Sequence, residues 1–508
     1  MTDIVLSTLN ARYIHSSFGL RYLKANLHEL QERAVLAEFI IDIKPEDAVE
    51  TILAHKPKVV GFGVYIWNVV QTERVVSLLR AVAPEVKVVL GGPEVSYELE
   101  GQSIINYADH VITGWGEKSF YDLCKQLLVD APEAGLSKVI VGQQLALKDM
   151  AMPYDLYDEA DVANRLVYVE ASRGCPYKCE FCLSALDKTA WPFELDRFLG
   201  EMEKLHARGV RHFKFVDRTF NLKIKNSLRI LDFFLERMSD DLFLHFEVIP
   251  DHLPDALKQK IQEFPDGCLQ FEIGIQTFNP DVQQRISRKQ KNDAAQDNLR
   301  WIRNESNAYI HADLIYGLPG EDLASFATSF NTLHALQPHE IQVGILKRLK
   351  GSPIVRHSSE YKMVFNPNPP FNIVKNSLCS FDEVQRMNRF ARYWDLLANS
   401  GRFRETLHLM LDGSAFDQFM RISDALFERT QQTHKIALLK LFDLVSLIGA
   451  QDLGLDEVTI NKALELDYQR SGLKSVPKFL QDSLGRGSAG SSHKSRQRAS
   501  RQARQLAS

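Results

Sequence analysis

Cysteine is scarce in this chain, with six in 508 residues. So low a count excludes a disulfide framework and fits a reducing compartment. Long hydrophobic runs are missing too. The longest, residues 59–67, spans nine positions including two glycines, whereas a membrane-crossing helix needs about 20. The first residues, Met1-Thr2-Asp3-Ile4-Val5, carry no basic leader and no cleavage site and read as the start of a strand. A cytoplasmic protein with no membrane partner is expected. Charge of one sign is also lacking, since the net charge is −4. That sum hides a contrast. Residues 485–508 hold six basic side chains and no acidic one, so the remaining body is acidic and offers no platform for nucleic acid, which is not an expected partner. The tail itself, rich in Gly, Ser, Arg and Gln, is expected to be disordered. The apolar fraction of 45% excludes wholesale disorder, and the length predicts about three domains. No internal repeat is present.

Up to about residue 130, short Val/Ile-rich runs (4–6, 35–41, 59–64, 86–90 and 111–112) alternate with amphipathic segments (one opening at Pro45-Glu46-Asp47, then 69–82 and 118–128). Such runs are typical of buried parallel strands, and the alternation predicts an α/β fold with a doubly wound, Rossmann-like sheet. Residues 131–165 carry the breakers of a linker. Alternation resumes over 166–355, with strands expected at 166–171, 212–216, 243–248, 269–275, 309–314 and 341–346. Six strands predict a partial (β/α)6 barrel, with ligands at the C-terminal strand ends. Residues 356–480 read as a helical C-terminal region, with helices at 382–397, 406–411, 434–447 and 455–466.

The cysteines are clustered. Gly174-Cys175-Pro176-Tyr177-Lys178-Cys179-Glu180-Phe181-Cys182 places three thiols in a C-x3-C-x2-C spacing. Three thiolates on one short loop can hold three irons of a [4Fe–4S] cluster and leave the fourth open to a small molecule. A structural zinc site wants four ligands, usually as two pairs, and no second C-x2-C exists. Pro176, Lys178 and Glu180 mark the loop as exposed, which argues against three merely structural cysteines. Cys268 and Cys379 read as buried thiols; Cys379 as a hydrogen donor to a substrate radical is a remote alternative.

The spacing of Cys175, Cys179 and Cys182 resembles that of the radical S-adenosylmethionine (SAM) superfamily, and the resemblance extends over residues 166–350. It implies that the open iron chelates SAM and that one electron from the cluster yields a 5′-deoxyadenosyl radical. It further implies SAM contacts from Phe181, the aromatic before the third cysteine; from Gln276, in Glu272-Ile273-Gly274-Ile275-Gln276; from Arg288; and from Gly317, in the turn Tyr316-Gly317-Leu318-Pro319-Gly320. Relatives often carry a Gly-Gly-Glu-like stretch after the second strand. Here Val216-Asp217-Arg218 stands there, making Asp217 the candidate. Glu247 is weaker, because an inward carboxylate can simply pair with a cation.

A barrel of this kind behind a doubly wound domain resembles the cobalamin (B12)-binding subclass. The matching pieces are Gly61-Phe62-Gly63-Val64-Tyr65, Leu90-Gly91-Gly92-Pro93-Glu94 and Thr113-Gly114-Trp115-Gly116-Glu117. Gly63, Tyr65, Gly91, Gly92, Pro93, Glu94, Gly114 and Glu117 are the implied cobalamin contacts. A G-x-G-x-x-G dinucleotide fingerprint is absent. In the first loop His15 follows Tyr13 by two, where the cobalt-ligating Asp-x-His-x-x-Gly pattern wants aspartate, and Gly19 falls one place late, so the lower cobalt face is read as lacking histidine. Tyr65 and Trp67 are candidates to cover the corrin, with core packing as the alternative. The resemblance implies cofactors [4Fe–4S], SAM and cobalamin, a reductant such as flavodoxin or ferredoxin, a small-molecule substrate, and methyl transfer to an unactivated centre. Radical rearrangement without methyl transfer and a non-catalytic cobalamin or iron–sulfur sensor remain the rivals. A tRNA methylthiolation enzyme would need a second three-cysteine cluster, and the first domain has only Cys124.

Overall fold

The computed structural model describes residues 2–130, 135–187 and 189–481; the expected disordered tail lies outside them. The first sheet has strands β1 (Ile4–Asn10), β2 (Ala34–Ile40), β3 (Val59–Gly63), β4 (Lys87–Gly91), β5 (His110–Thr113) and β6 (Val139–Val141). All pairs are parallel, in the order β2-β1-β3-β4-β5-β6. The order in which strands are added reverses between β1 and β3, so the crevice for a ligand lies there, at the C-terminal strand ends. Alternate residues serve two cores. Val5, Val60 and Phe62 pack with Val75, Val76 and Leu79 of the helix Val69–Val82 on one face. Ile4, Leu6 and Val59 pack with Leu20, Phe120 and Leu123 on the other. The stretch read as linker contains structure: β6 extends the sheet, and the helix Glu159–Asn164 brings Asp161 to Arg21.

The second sheet runs β7 (Val167–Val169), β10 (His212–Phe215), β11 (Phe243–Glu247), β12 (Leu269–Gln276), β13 (Tyr309–Tyr316) and β14 (Glu340–Ile345), all parallel. This is the six-stranded partial barrel expected. An antiparallel pair, β8 (Ser172–Gly174) with β9 (Ala190–Pro192), brackets the cysteine loop. Phe213, Phe215, Leu244, Phe246, Phe271, Ile273 and Ile310 face the surrounding helices and are buried. Alternate positions, facing the lumen, include Lys214, His245, Glu272, His311 and Asp313.

Beyond the barrel, helices Phe381–Leu397, Arg404–Met410, Ala415–Thr430, Leu438–Gln451 and Glu457–Ser471 follow. The third was not anticipated. Its Phe416, Phe419, Met420 and Leu426 repeat at helical spacing, and Ser414 caps it by accepting from Asp417 N–H. Asn399 fastens this region to the barrel, accepting from Ile341 N at 3.0 Å and donating to Ile341 O at 2.9 Å. Among the described residues, no helix is long and apolar enough to cross a membrane.

Candidate active site

The cysteine loop is rooted by Asp217, at the end of β10. Its buried carboxylate accepts from Ala171 N at 2.9 Å and Ser172 Oγ at 2.6 Å. Burial raises its pKa to about 7 against these hydrogen bonds. Both oxygens are thus turned to the loop root. Cys175 and Cys179 are buried and Cys182 half-buried. Burial pushes the Cys175 thiol up to about 11 and also raises Cys179, and each feels the charge of its neighbours in the loop. Among the described residues no three Cys, His, Asp or Glu side chains already stand at metal-holding distance. The donor set nevertheless fits an iron–sulfur cluster: three soft thiols share one neighbourhood. Cations adjoin it, with Arg288 Nη1 3.7 Å from Cys179 Sγ and the Arg218 charge acting on Cys175.

Glu180 corrects the reading of an exposed loop. It is 3% exposed. Its Oε1 accepts from Ser287 Oγ at 2.6 Å and from Arg356, and its Oε2 lies 2.8 Å from His357 Nε2. Its backbone donates to Ile286 O and accepts from Ile354 N, both at 3.0 Å. The loop is therefore latched from two sides by residues more than 100 positions away in sequence.

The implied SAM residues fall in two groups. Gln276 ends β12 with φ +69, beside a register shift at Gly274. Left-handed backbone at a non-glycine is costly and clusters at functional sites. A side chain at Gly274 would collide with the Gln276 amide. Arg288 donates to Gly274 O and, at 2.9 Å, to Gln290 Oε1, while reaching Cys179, so it joins this strand end to the loop. On the other side, Phe181 packs on a cluster with Leu318, Leu346, Ile354 and Ile373. Gly317, at φ +91, lies so close to Ile373 that a Cβ would sit 2.7 Å from its Cγ2. Glu247 pairs with Arg218 at 2.7 Å. Cys379 is buried with Sγ 3.6 Å from Glu321 O, and Cys268 with Sγ 3.2 Å from Leu242 O.

At the C-terminal ends of β3, β4 and β5 a cavity of about 300 Å3 opens. Gly63, Tyr65, Gly91, Gly92, Gly114 and Glu117 line it. Gly92 has φ +107, and a Cβ there would meet Val64 O at 2.5 Å. Tyr65 stacks on Trp67 with centroids 4.4 Å apart. The barrel completes the wall with Glu170 and Arg173. Arg173 donates to Glu117 and Glu170, each at 2.6 Å, and its guanidinium lies 4.6 Å from the Tyr22 ring and 4.8 Å from Trp115. Pro93 and Glu94 are not on the wall. Glu94 is buried in an ion pair with Lys350 at 2.7 Å, across the domain boundary. His15 leaves the cavity for the barrel, its Nδ1 2.7 Å from Tyr168 Oη.

The barrel lumen holds a charged network that the sequence reading missed. His311 lies between Asp313 at 3.3 Å and Glu340 at 3.0 Å. Burial depresses its pKa, but the two carboxylates outweigh it and raise it to about 10. Burial pushes Glu272 up, yet His245 at 3.0 Å and Lys214 at 3.8 Å hold it down at about 2.

Residues 4–124 match the family described as B12 binding domain, residues 169–333 the Radical SAM superfamily, and residues 359–508 a family described as Protein of unknown function (DUF4080). The cobalamin-dependent radical SAM methyltransferase TokK of Streptomyces tokunonensis is 27% identical over 329 residues, 57% of this chain and 47% of that protein. An uncharacterized methyltransferase of Pyrococcus horikoshii is 24% identical over 340 residues, 60% of this chain and 70% of that one. This chain therefore spans about half the length of TokK and more of the second. Among solved structures, the cobalamin-dependent radical enzyme OxsB with aqua-cobalamin bound superposes with a TM-score of 0.60 at 13% identity, covering 95% of this chain and 80% of that chain. TsrM from Kitasatospora setae with cobalamin and a [4Fe–4S] cluster bound gives 0.58 at 16% identity, covering 76% and 85%. These two likenesses are of fold.

Proposed function

We propose that this chain, which joins a B12-binding domain to a radical SAM domain, is an enzyme that cleaves SAM reductively to a 5′-deoxyadenosyl radical and transfers a methyl group through cobalamin to an unactivated centre of a small molecule. The observation that carries this reading is a shared wall. Arg173, two residues before Cys175, closes the glycine-lined cavity of the first domain, so both cofactor sites meet at one short stretch of chain. When bound, the cluster supplies the electron and the open iron, and cobalamin carries the methyl group.

The residues divide the remaining work. Cys175, Cys179 and Cys182 hold the cluster, and Arg288 offsets its negative charge beside Cys179. Gln276 faces the SAM ribose, with Phe181 and Gly317 at the adenine. Asp217 fixes the loop root. Gly63, Gly91, Gly92 and Gly114 admit the corrin to bare backbone, beside Tyr65. The lumen network of Glu272, His311 and Asp313 offers polar contacts to substrate below the cluster and is shielded from water by the barrel. A flavodoxin or ferredoxin supplies electrons in a cytoplasmic setting.

The test is anaerobic purification, cluster reconstitution, addition of hydroxocobalamin, desalting and metal analysis. About four irons and one cobalt per chain are expected, with 5′-deoxyadenosine formed from SAM under dithionite. Iron without retained cobalt overturns the cobalamin assignment. Both metals without 5′-deoxyadenosine favour the sensor reading.

A further inference from the structure

A second cavity, of about 700 Å3, lies at the other end of the barrel. Gln337, Pro338, His339 and Ile341, at the start of β14, form part of its wall, and Trp394 and Arg404 of the C-terminal helices form another. Barrel strands of six to eight residues span about 20–27 Å, so this cavity is remote from the cysteine loop.

Its polar walls are rich in hydrogen-bond donors. Arg303, His339 and Arg404 converge on it. The charge of Arg404 acts on Arg303, and after burial these two arginines are what depress His339, to about 4. His339 Nδ1 accepts from Ile310 N at 2.9 Å, which leaves Nε2 as the ring's N–H donor. Two further donors, Arg303 Nε and Trp394 Nε1, are buried without an acceptor among the described residues. Guanidinium and indole nitrogens donate and never accept, so a bound partner must bring acceptors. Of the carboxylates on the wall, Glu405 is paired with Arg470 at 2.6 Å and Asp412 is exposed. Beside the charges stand apolar surfaces of Trp394 and Leu407.

We propose that this cavity is a second binding site, for a small organic anion bearing phosphate or carboxylate groups, its charged end at Arg303 and Arg404 and its carbon body against Trp394. The volume is of the size that holds small ligands. Nothing in this site depends on the cofactor chemistry proposed above.

The test uses the full chain, purified anaerobically, titrated with inorganic pyrophosphate and separately with citrate, read by calorimetry and tryptophan fluorescence. One saturable site is expected, filled by pyrophosphate if the ligand is a phosphate and by citrate if it is a carboxylate. Arg303→Gln and Arg404→Gln should each weaken binding about tenfold or more, and Trp394→Phe several-fold. Should Arg303→Gln unfold, Arg303→Lys keeps the charge, removes the Nε donor and should still loosen binding. No saturation by either anion at millimolar concentration, or binding that these variants leave unchanged, would falsify the site. Iron and cobalt contents should not move in any variant, so failure here is separable from failure of the proposed reaction.

Discussion

The two parallel sheets of this molecule present ligands with opposite kinds of surface. In the first, residues on both faces of β1 and β3 enter apolar cores, so nothing can bind against a face. What remains is the sheet's end, where glycines expose backbone and a site is defined by space. In the second, one face is apolar and the other carries Lys214, His245, Glu272, His311 and Asp313. There the site is defined by charge. Substitutions should therefore fail for different reasons: in the first domain when they add volume, in the barrel when they remove a charge or a ligand atom.

The sharpest way to separate the two is to unload each alone. Cys179→Ala should drop iron from about four per chain to near zero while hydroxocobalamin is still retained after desalting. Loss of both metals together would break the comparison. Gly92→Val should do the reverse. Its Cβ would meet Val64 O at φ +107, a strain of about 1–3 kcal/mol, and cobalt retention should fall while iron stays.

A smaller effect is expected at the latch. Glu180→Gln removes the charge facing His357 and Arg356. The cost should be about 1–3 kcal/mol in anaerobic urea unfolding of the apoprotein, with faster iron loss to a chelator. The last test lies in the lumen and is read in pH. His311 binds its proton more tightly folded than unfolded, so its contribution is complete below pH 6.5 and fades as pH rises through about 10. Stability measured at pH 7 and pH 10 should differ less in His311→Asn than in the parent chain. An unchanged difference would mean that the lumen charges do not act as the geometry implies.

How legible was this in the sequence? The six barrel strands and the cysteine loop were, because both are local signals: a Val/Ile or Phe run, and three like residues in eight positions. The charged lumen was not, although it is written as period-two alternation in His212-Phe213-Lys214-Phe215 and in Leu269-Gln270-Phe271-Glu272. Four to eight residues are too few to tell an inward charge from an edge. Glu180 was misjudged for a related reason. A carboxylate two residues after Lys178 looks solvated until Ser287 and His357 arrive from elsewhere in the chain. Pro93 and Glu94 stood in a motif with two glycines, but the glycines reach the cavity and these two do not, and Lys350, the partner of Glu94, carries no sequence signal linking it to that loop. The helix Ala415–Thr430 did have its cap and its apolar stripe, and was legible but unread.

The fastening of residues 94–98 to residues 348–351 bears on how the chain is made. Gly351 N donates to Glu98 Oε1 at 3.1 Å across 253 positions, and Arg348 meets the same carboxylate at 2.5 Å. A ribosome adding about 5–20 residues per second reaches Gly351 roughly 10 to 50 seconds after Glu98. Throughout that interval the loop after β4 is without its partner, although the glycine ends around it have already been synthesised. The newborn first domain thus carries this loop unfastened until the end of the barrel arrives, and the last strap across the domain boundary is set only when most of the barrel has been made.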